Sequence, residues 1–250
     1  MIGCRLDRWN ERPLPPMARP FLLLSHPGHE LRLFHWMEQT SPMVACLTDG
    51  SGGSAVARTD YSERCVRSAG AVYYPLPGIR SDRAWYQAIL RRDSAPFLDA
   101  VAAVVACRPN LVVSDAVDGY NPMHDLCAAV GAAAAARLGV AHLVSHAIGG
   151  GTEDISHKIG LDPDAIGRKL AAVAAYGPVA EEVRRILEAE ESALSVECLR
   201  RPVFLWPEHH TPDWEETGRA RVGDRRYGEA IEYARHVRPI AWAVLHAPSE

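Results

Sequence analysis

The chain reads as an α/β fold, a mostly parallel central sheet between two layers of helices, and three observations predict it. Short apolar runs of strand length recur five times in the first 144 residues, at Phe21-Leu-Leu-Leu24, Met43-Val-Ala-Cys-Leu47, Ala71-Val-Tyr-Tyr74, Leu111-Val-Val113 and Val140-Ala-His-Leu-Val144. They lack the strict apolar/polar alternation of a strand with one wet face, as expected of strands covered on both sides. Between them lie segments of helical period joined by short Gly- and Pro-containing turns, and strands alternating with helices in this way form parallel sheets.

Met1 to Arg19 is rich in Arg and Pro, and Pro13, Pro15 and Pro16 deny it a regular helix, so residues 1–18 read as an irregular arm before one α/β domain over 19–250. The first strand, from Phe21, stops at Pro27-Gly28, and Leu31, Leu33, Phe34 and Met37 then set a helical period to about Thr40. After the second strand, Thr48-Asp-Gly-Ser-Gly-Gly53 is a turn whose Gly50-x-Gly52-x-x-Ala55 spacing formally matches a dinucleotide fingerprint. That fingerprint belongs after a first strand rather than a second, so a nucleotide-dependent transferase or dehydrogenase is a weak reading. A helix over Tyr61 to Ala69 leads to the third strand, which Pro75 and Pro77 end. Helices follow from Asp82 to Arg91, capped by Ser81 or Asp82, and from Ala95 to Cys107. Beyond the fourth strand, the alanine-rich Asp125 to Leu138 is a strong helix that packs closely on small side chains.

Gly149-Gly-Gly151 marks a break after the fifth strand, and helices are expected over Asp164 to Tyr176 and Val179 to Glu191, separated by Pro178. A short apolar piece at Val203-Phe-Leu205 precedes a polar, Trp-containing stretch from Pro207 to Asp224 that reads as a long loop with a lid or substrate role. A final helix over Tyr227 to His236 is expected to end before Pro239. Together these elements give a Rossmann-like three-layer sandwich, and the length of 250 residues with 48% hydrophobic content suits a single core.

Composition narrows the function. The net charge is −4, and the basic residues, among which only Lys158 and Lys169 are lysines, are scattered, so neither a nucleic-acid face nor a polybasic membrane patch stands out. The amino-terminal segment lacks the apolar core of a secretory signal, and Phe21 to Leu24 is far too short to span a bilayer, which points to a cytoplasmic protein. The six cysteines contain no Cys-x-x-Cys pair and sit mostly in apolar stretches, as buried thiols of a reducing compartment do.

The chemistry concentrates where strands end. His26 closes the first strand, and His29 and Glu30 open the next helix, so two imidazoles three residues apart can face one point in the crevice where open α/β sheets bind ligands. A third imidazole, His124, lies in Asp118-Gly-Tyr-Asn-Pro-Met-His124-Asp125, the turn after the fourth strand. Three imidazoles suit zinc or another divalent metal; the plainer reading is that they cap helices and hydrogen-bond locally. Asp115, Asp118 and Asp49 fall in turns of the same edge and could reach a water there, or could simply serve turn geometry. Arg58, after the glycine turn, could hold an anionic group or be an ordinary surface arginine.

Ser25-His-Pro-Gly-His-Glu30 resembles the Ala-His-Pro-Asp-Asp-Glu signature of the PIG-L/LmbE-like zinc-dependent deacetylases, and Tyr120-Asn-Pro-Met-His124 resembles that family's second signature, His-Pro-Asp-His. The resemblance extends over roughly residues 20 to 245. It implies a metal-dependent hydrolase that removes an acyl, typically acetyl, group from the nitrogen of an N-acylated amino sugar or glycoconjugate. By the same resemblance His26 and His124 match two Zn2+ ligands and His29 stands where an aspartate ligand is usual, while His236 resembles a carboxy-terminal histidine that could polarise a carbonyl or bind substrate. Gly28 takes the place of the aspartate that acts as general base, Asn121 that of a catalytic histidine, and Met123 that of another acidic residue. Asp118, then Asp115, are the candidates to replace the base, with Asp49 and Arg58 as substrate contacts. The departures at Gly28 and Asn121 keep a second reading open, a sugar- or partner-binding protein of the same fold without turnover. The oligomeric state is left open, a homo-oligomer included.

Overall fold

The computed structural model describes residues 19–52, 56–78, 81–146, 155–177, 180–189, 195–225 and 228–248. The expectations for the arm at 1–18, the break at Gly149-Gly-Gly151 and the separator Pro178 fall outside them. Seven strands form one sheet in the order β3-β2-β1-β4-β5-β7-β6. β1 (Phe21–Leu24), β2 (Met43–Cys46), β3 (Val72–Tyr73), β4 (Leu111–Asp115) and β5 (Ala141–Ser145) run parallel, with β1 hydrogen-bonded to both β2 and β4. The register pairs Phe21 with Met43 on one side and with Val112 on the other, so the carboxy-terminal ends of β1, β2 and β4 emerge side by side.

Successive residues of β1, β2 and β4 point to opposite faces and are almost all buried on both. Phe21, Leu23, Ala45 and Val112 enter the core beneath α3 (Asp82–Leu90), α4 (Ala95–Ala106), α5 (Pro122–Leu138) and α9 (Arg238–His246), with Trp85, Phe97, Val130 and Ile240. Leu22, Leu24, Val44 and Val113 enter the core beneath α1 (Phe34–Thr40), α2 (Thr59–Ser68) and α6 (Pro163–Ala175), with Phe34, Val66 and Tyr176. Burial on both faces is why these strands carry no alternation.

Four expectations are corrected. The helix after β1 opens as a tight 3-10 turn, His29–Leu33, before becoming α-helical at Phe34. An antiparallel strand pair that the sequence did not suggest, β6 (Ile155–Gly160) and β7 (Val196–Arg200), separated in the chain by two helices, completes the sheet; β7 pairs antiparallel with β5 and β6 with β7. The stretch read as a loop from Pro207 to Asp224 contains α8 (Asp213–Gly223), which Trp214 and Glu215 anchor. The final helix starts later than expected, with a π-helical turn at Tyr233–Val237 followed by α9, because Pro239 occupies a first-turn position where proline is favoured rather than a terminating one. The remaining helix, α7 (Ala180–Ala189), lies close to its expected place. No helix among the described residues is long and apolar enough to cross a membrane.

Candidate functional site

β1 delivers His26 just beyond its last residue, and Gly28 then turns the chain with φ 114°, a left-handed value glycine takes at little cost. Glu30 fixes that turn from within. It is wholly buried, accepts the Gly28 N–H at 2.7 Å and accepts the hydroxyl of Tyr176, the residue that ends α6, at 2.9 Å. The turn therefore carries His29 back over the sheet edge. After the adjacent strand, Asn121 caps α5 by accepting the Met123 N–H at 2.9 Å, and Pro122 opens the helix, which sets His124 in its first turn and 2% exposed.

The three rings meet. Their centroids are 5.5 Å apart for His26 and His29, 5.4 Å for His26 and His124, and 4.7 Å for His29 and His124, each pair edge to face. Every described hydrogen bond from these rings uses Nδ1. His29 Nδ1 lies 2.9 Å from Asp115 Oδ2, His124 Nδ1 lies 2.8 Å from Asp118 Oδ2, and His26 Nδ1 lies 2.9 Å from Thr48 Oγ1 and 3.3 Å from Asp82 Oδ1. The other nitrogen, Nε2, remains, and in His26 it is buried with no hydrogen-bond partner among the described residues. A carboxylate on the far nitrogen, as His29 and His124 have, is the arrangement that presents the near nitrogen to a metal.

Each carboxylate is itself held. Asp115, 1% exposed, also accepts the Ser25 N–H at 2.7 Å and the Ser25 hydroxyl at 2.6 Å. Burial raises its pKa, but the His29 ring beside it and the Ser25 bond outweigh that and hold it well below the usual carboxylate range. Asp118 accepts the Tyr120 N–H through its other oxygen at 3.0 Å. Asp82, 6% exposed, accepts the Gly52 N–H at 2.5 Å. Burial pushes its carboxyl up, and His26, Thr48 and the Gly52 N–H together bring it down to about 2. Beneath the trio, Asp125 accepts the Trp214 indole N–H at 2.8 Å and the Gly119 N–H at 3.3 Å; burial first, and Asp118 nearby, push its carboxyl up to about 7 against those two bonds.

The other expected residues are placed differently. Asp49 turns inward to the loop after β2, accepting the Ser51 N–H at 2.9 Å and the Asp82 N–H at 3.2 Å, so it ties that loop to α3. Arg58 packs over the same loop: a methyl at Gly50 would come within 2.6 Å of its Nε and 3.0 Å of Pro27 Cδ, and that Nε is buried without a partner among the described residues. His236 is buried apart from the trio; its Nδ1 accepts the Glu232 N–H at 2.9 Å, and Glu229 lies 4.0 Å from its Nε2. Asn121, besides capping α5, accepts the Tyr86 hydroxyl at 3.0 Å. Sequence reasoning missed Asp82 as more than a helix cap, and Thr48 and Ser25 altogether. Each lies just past, or far in sequence from, a strand end, and only the strand order brings it to a histidine.

The donor set fits a divalent cation of borderline softness, since three imidazoles suit zinc, copper, nickel or iron better than magnesium or calcium. Imidazoles bound to zinc through Nε2 at about 2.0 to 2.1 Å stand with their centres about 5 Å apart, close to the separations above. Among the described residues, no group of three or more His, Cys, Asp and Glu side chains already stands in ion-holding geometry. The rings are near that arrangement and not in it.

No protein-family model and no curated protein matches the chain. Solved structures do resemble it. The conserved protein TT1542 from Thermus thermophilus is 18% identical, with 76% of this chain and 96% of that one covered and a TM-score of 0.52. The A40926 pseudoaglycone deacetylase is 16% identical over 74% of this chain and 96% of its own, with a TM-score of 0.54. A triple mutant of a deacetylase of the teicoplanin biosynthetic pathway is 12% identical over 74% of this chain and 98% of its own, also at 0.54. At these identities the likeness is one of fold.

Proposed function

We propose that this chain is a metal-dependent amide hydrolase that removes an acyl group, foremost acetyl, from the nitrogen of an N-acylated amino sugar or glycoconjugate. The observation that carries the reading is the set of three imidazoles at one sheet edge, each with Nδ1 engaged and Nε2 left over. The fold shared with two proteins named as deacetylases supports the substrate class. His26, His29 and His124 would hold the ion, Zn2+ or another divalent metal, with a small turn of each ring about its Nδ1 anchor. When bound, such an ion supplies Lewis acidity, making a water acidic near neutral pH and polarising a carbonyl.

The chain's own residues would divide the remaining work. Asp115 and Asp118 would hold the rings of His29 and His124, and Asp82 would stand behind His26; among the described hydrogen bonds this engages both oxygens of Asp118 but only Oδ2 of Asp115, the two aspartates expected as bases. Asp49 and Asp82 order the loop after β2, and Arg58 places a cation on that loop for an anionic part of the substrate. We read residues 19–250 as one domain of a cytoplasmic protein acting on a small molecule. His236 stands outside this scheme.

A second reading, a sugar- or partner-binding protein without turnover, is favoured by Gly28, which offers no carboxylate, and by Asn121, which is committed to capping α5 and to Tyr86. Metal analysis of the purified protein, with an assay for acetate release from a panel of N-acetyl sugars and glycoconjugates, separates the two. Bound metal with acetate release supports the hydrolase; bound metal with none from any amide offered supports the binding protein.

A further inference from the structure

His26 differs from its two partners. His29 and His124 each have a carboxylate oxygen as the nearest polar atom to Nδ1, whereas the nearest to His26 Nδ1 is the Thr48 hydroxyl at 2.9 Å, with Asp82 Oδ1 behind it at 3.3 Å and outside normal hydrogen-bond geometry. A neutral imidazole carries one proton, and its position decides which nitrogen has a lone pair. Thr48 cannot decide it, because a hydroxyl donates as readily as it accepts. If the proton sat on Nε2, a buried N–H would lack an acceptor, costing about 1 to 3 kcal/mol, and the Nδ1 lone pair would face a carboxylate. With the proton on Nδ1, the N–H faces Thr48 and Asp82, and Nε2 is left as a buried lone pair open to a cation.

We propose that Asp82 is a positioning residue that fixes His26 in the Nδ1–H tautomer, so that its Nε2 lone pair is ready for a divalent cation. The proposal rests on the reading of His26 as a ligand, and it deepens that reading. Asp82 is well placed for this role, since it sits at the start of α3, its second oxygen is pinned by the Gly52 N–H, and its own N–H is held by Asp49, so the carboxylate cannot swing away from the ring. Only acceptance is open to it. An asparagine there could donate instead and would reverse the tautomer.

The test uses the full-length protein stripped of metal, labelled with 15N-histidine and read by long-range nitrogen–proton NMR at neutral pH, with zinc affinity measured by chelator competition. The wild type is expected to show His26 as Nδ1–H. Asp82→Asn is expected to move His26 towards Nε2–H and to lower zinc affinity roughly 10- to 100-fold. Thr48→Val, which keeps the carboxylate, is expected to keep the Nδ1–H form. Finding His26 as Nε2–H in the wild type would overturn the proposal, and that measurement decides the matter even if Asp82→Asn fails to fold. Unchanged tautomer and zinc affinity in a folded Asp82→Asn would also overturn it. A wild type that shows the Nδ1–H form yet takes up no zinc would instead defeat the metal reading of the site, leaving the role of Asp82 in the tautomer intact.

Discussion

The Asp118 carboxylate meets Nδ1 of His124 at 2.8 Å, with both side chains under 5% exposed. An aspartate six residues before a histidine, across a strand-to-helix turn, thus faces the ring rather than open solvent. Asp115 does the same for His29.

Asp118→Asn and Asp115→Asn should each weaken metal binding by about 10- to 100-fold, and any hydrolytic activity they lose should return when excess metal is supplied. Chelator competition and turnover measured across a metal titration check this. Were either variant to keep full metal affinity while turnover fell about 10²- to 10⁴-fold, that aspartate would be the general base.

Gly131 should not tolerate a side chain. It lies on α5 where the helix touches the sheet, and a methyl there would come within 2.8 Å of His142 Nε2, Ser114 Cβ and Ser114 Oγ. Gly131→Ala gains helix propensity but overpacks this contact, and a net loss of about 1 to 3 kcal/mol is expected. Denaturant unfolding of the variant should show a lower midpoint at an unchanged slope.

Stability should fall on acidification in a way that depends on His142. Burial lowers its pKa from 6.5 to about 4; its Nε2 lies 2.9 Å from the Ser114 hydroxyl, and its Nδ1 is buried without a hydrogen bond among the described residues. Because the folded value lies below the unfolded one, between about pH 4 and 6.5 the unfolded chain holds a proton that the folded one does not. Stability therefore rises with pH across that window and is fully present above it. The ring is partly exposed, so about 3 kcal/mol is the upper bound on the change. His142→Gln should flatten the curve by up to that amount; equal pH dependence in both proteins would remove His142 from the account.

The sequence carried the parallel core because β1, β2 and the first three residues of β4 are continuous apolar runs buried on both faces, the strongest signal a strand offers. It hid the antiparallel β6–β7 pair for the opposite reason. Ile155–Gly160 is half exposed, and β7 carries Glu197, buried only because Lys169 meets it at 2.9 Å and the His35 and Trp36 N–H groups bond to it. A charged residue inside a strand reads as a loop until its partner is known. The histidine trio was legible because all three follow strand ends or open helices. Asp82 was not, since its relation to His26 depends on the helix after β3 returning to the edge of β1, a fact of strand order and not of spacing.

The central claim, that His26, His29 and His124 share one divalent ion, is tested most directly by elemental analysis of the purified wild type beside His124→Ala after loading with zinc and removal of the excess. The account predicts one ion per chain in the wild type and a sharp loss in His124→Ala, with the circular dichroism of both proteins the same, because the two cores close without the metal. A wild type that retains no metal, or a His124→Ala protein that retains it in full, would contradict the account.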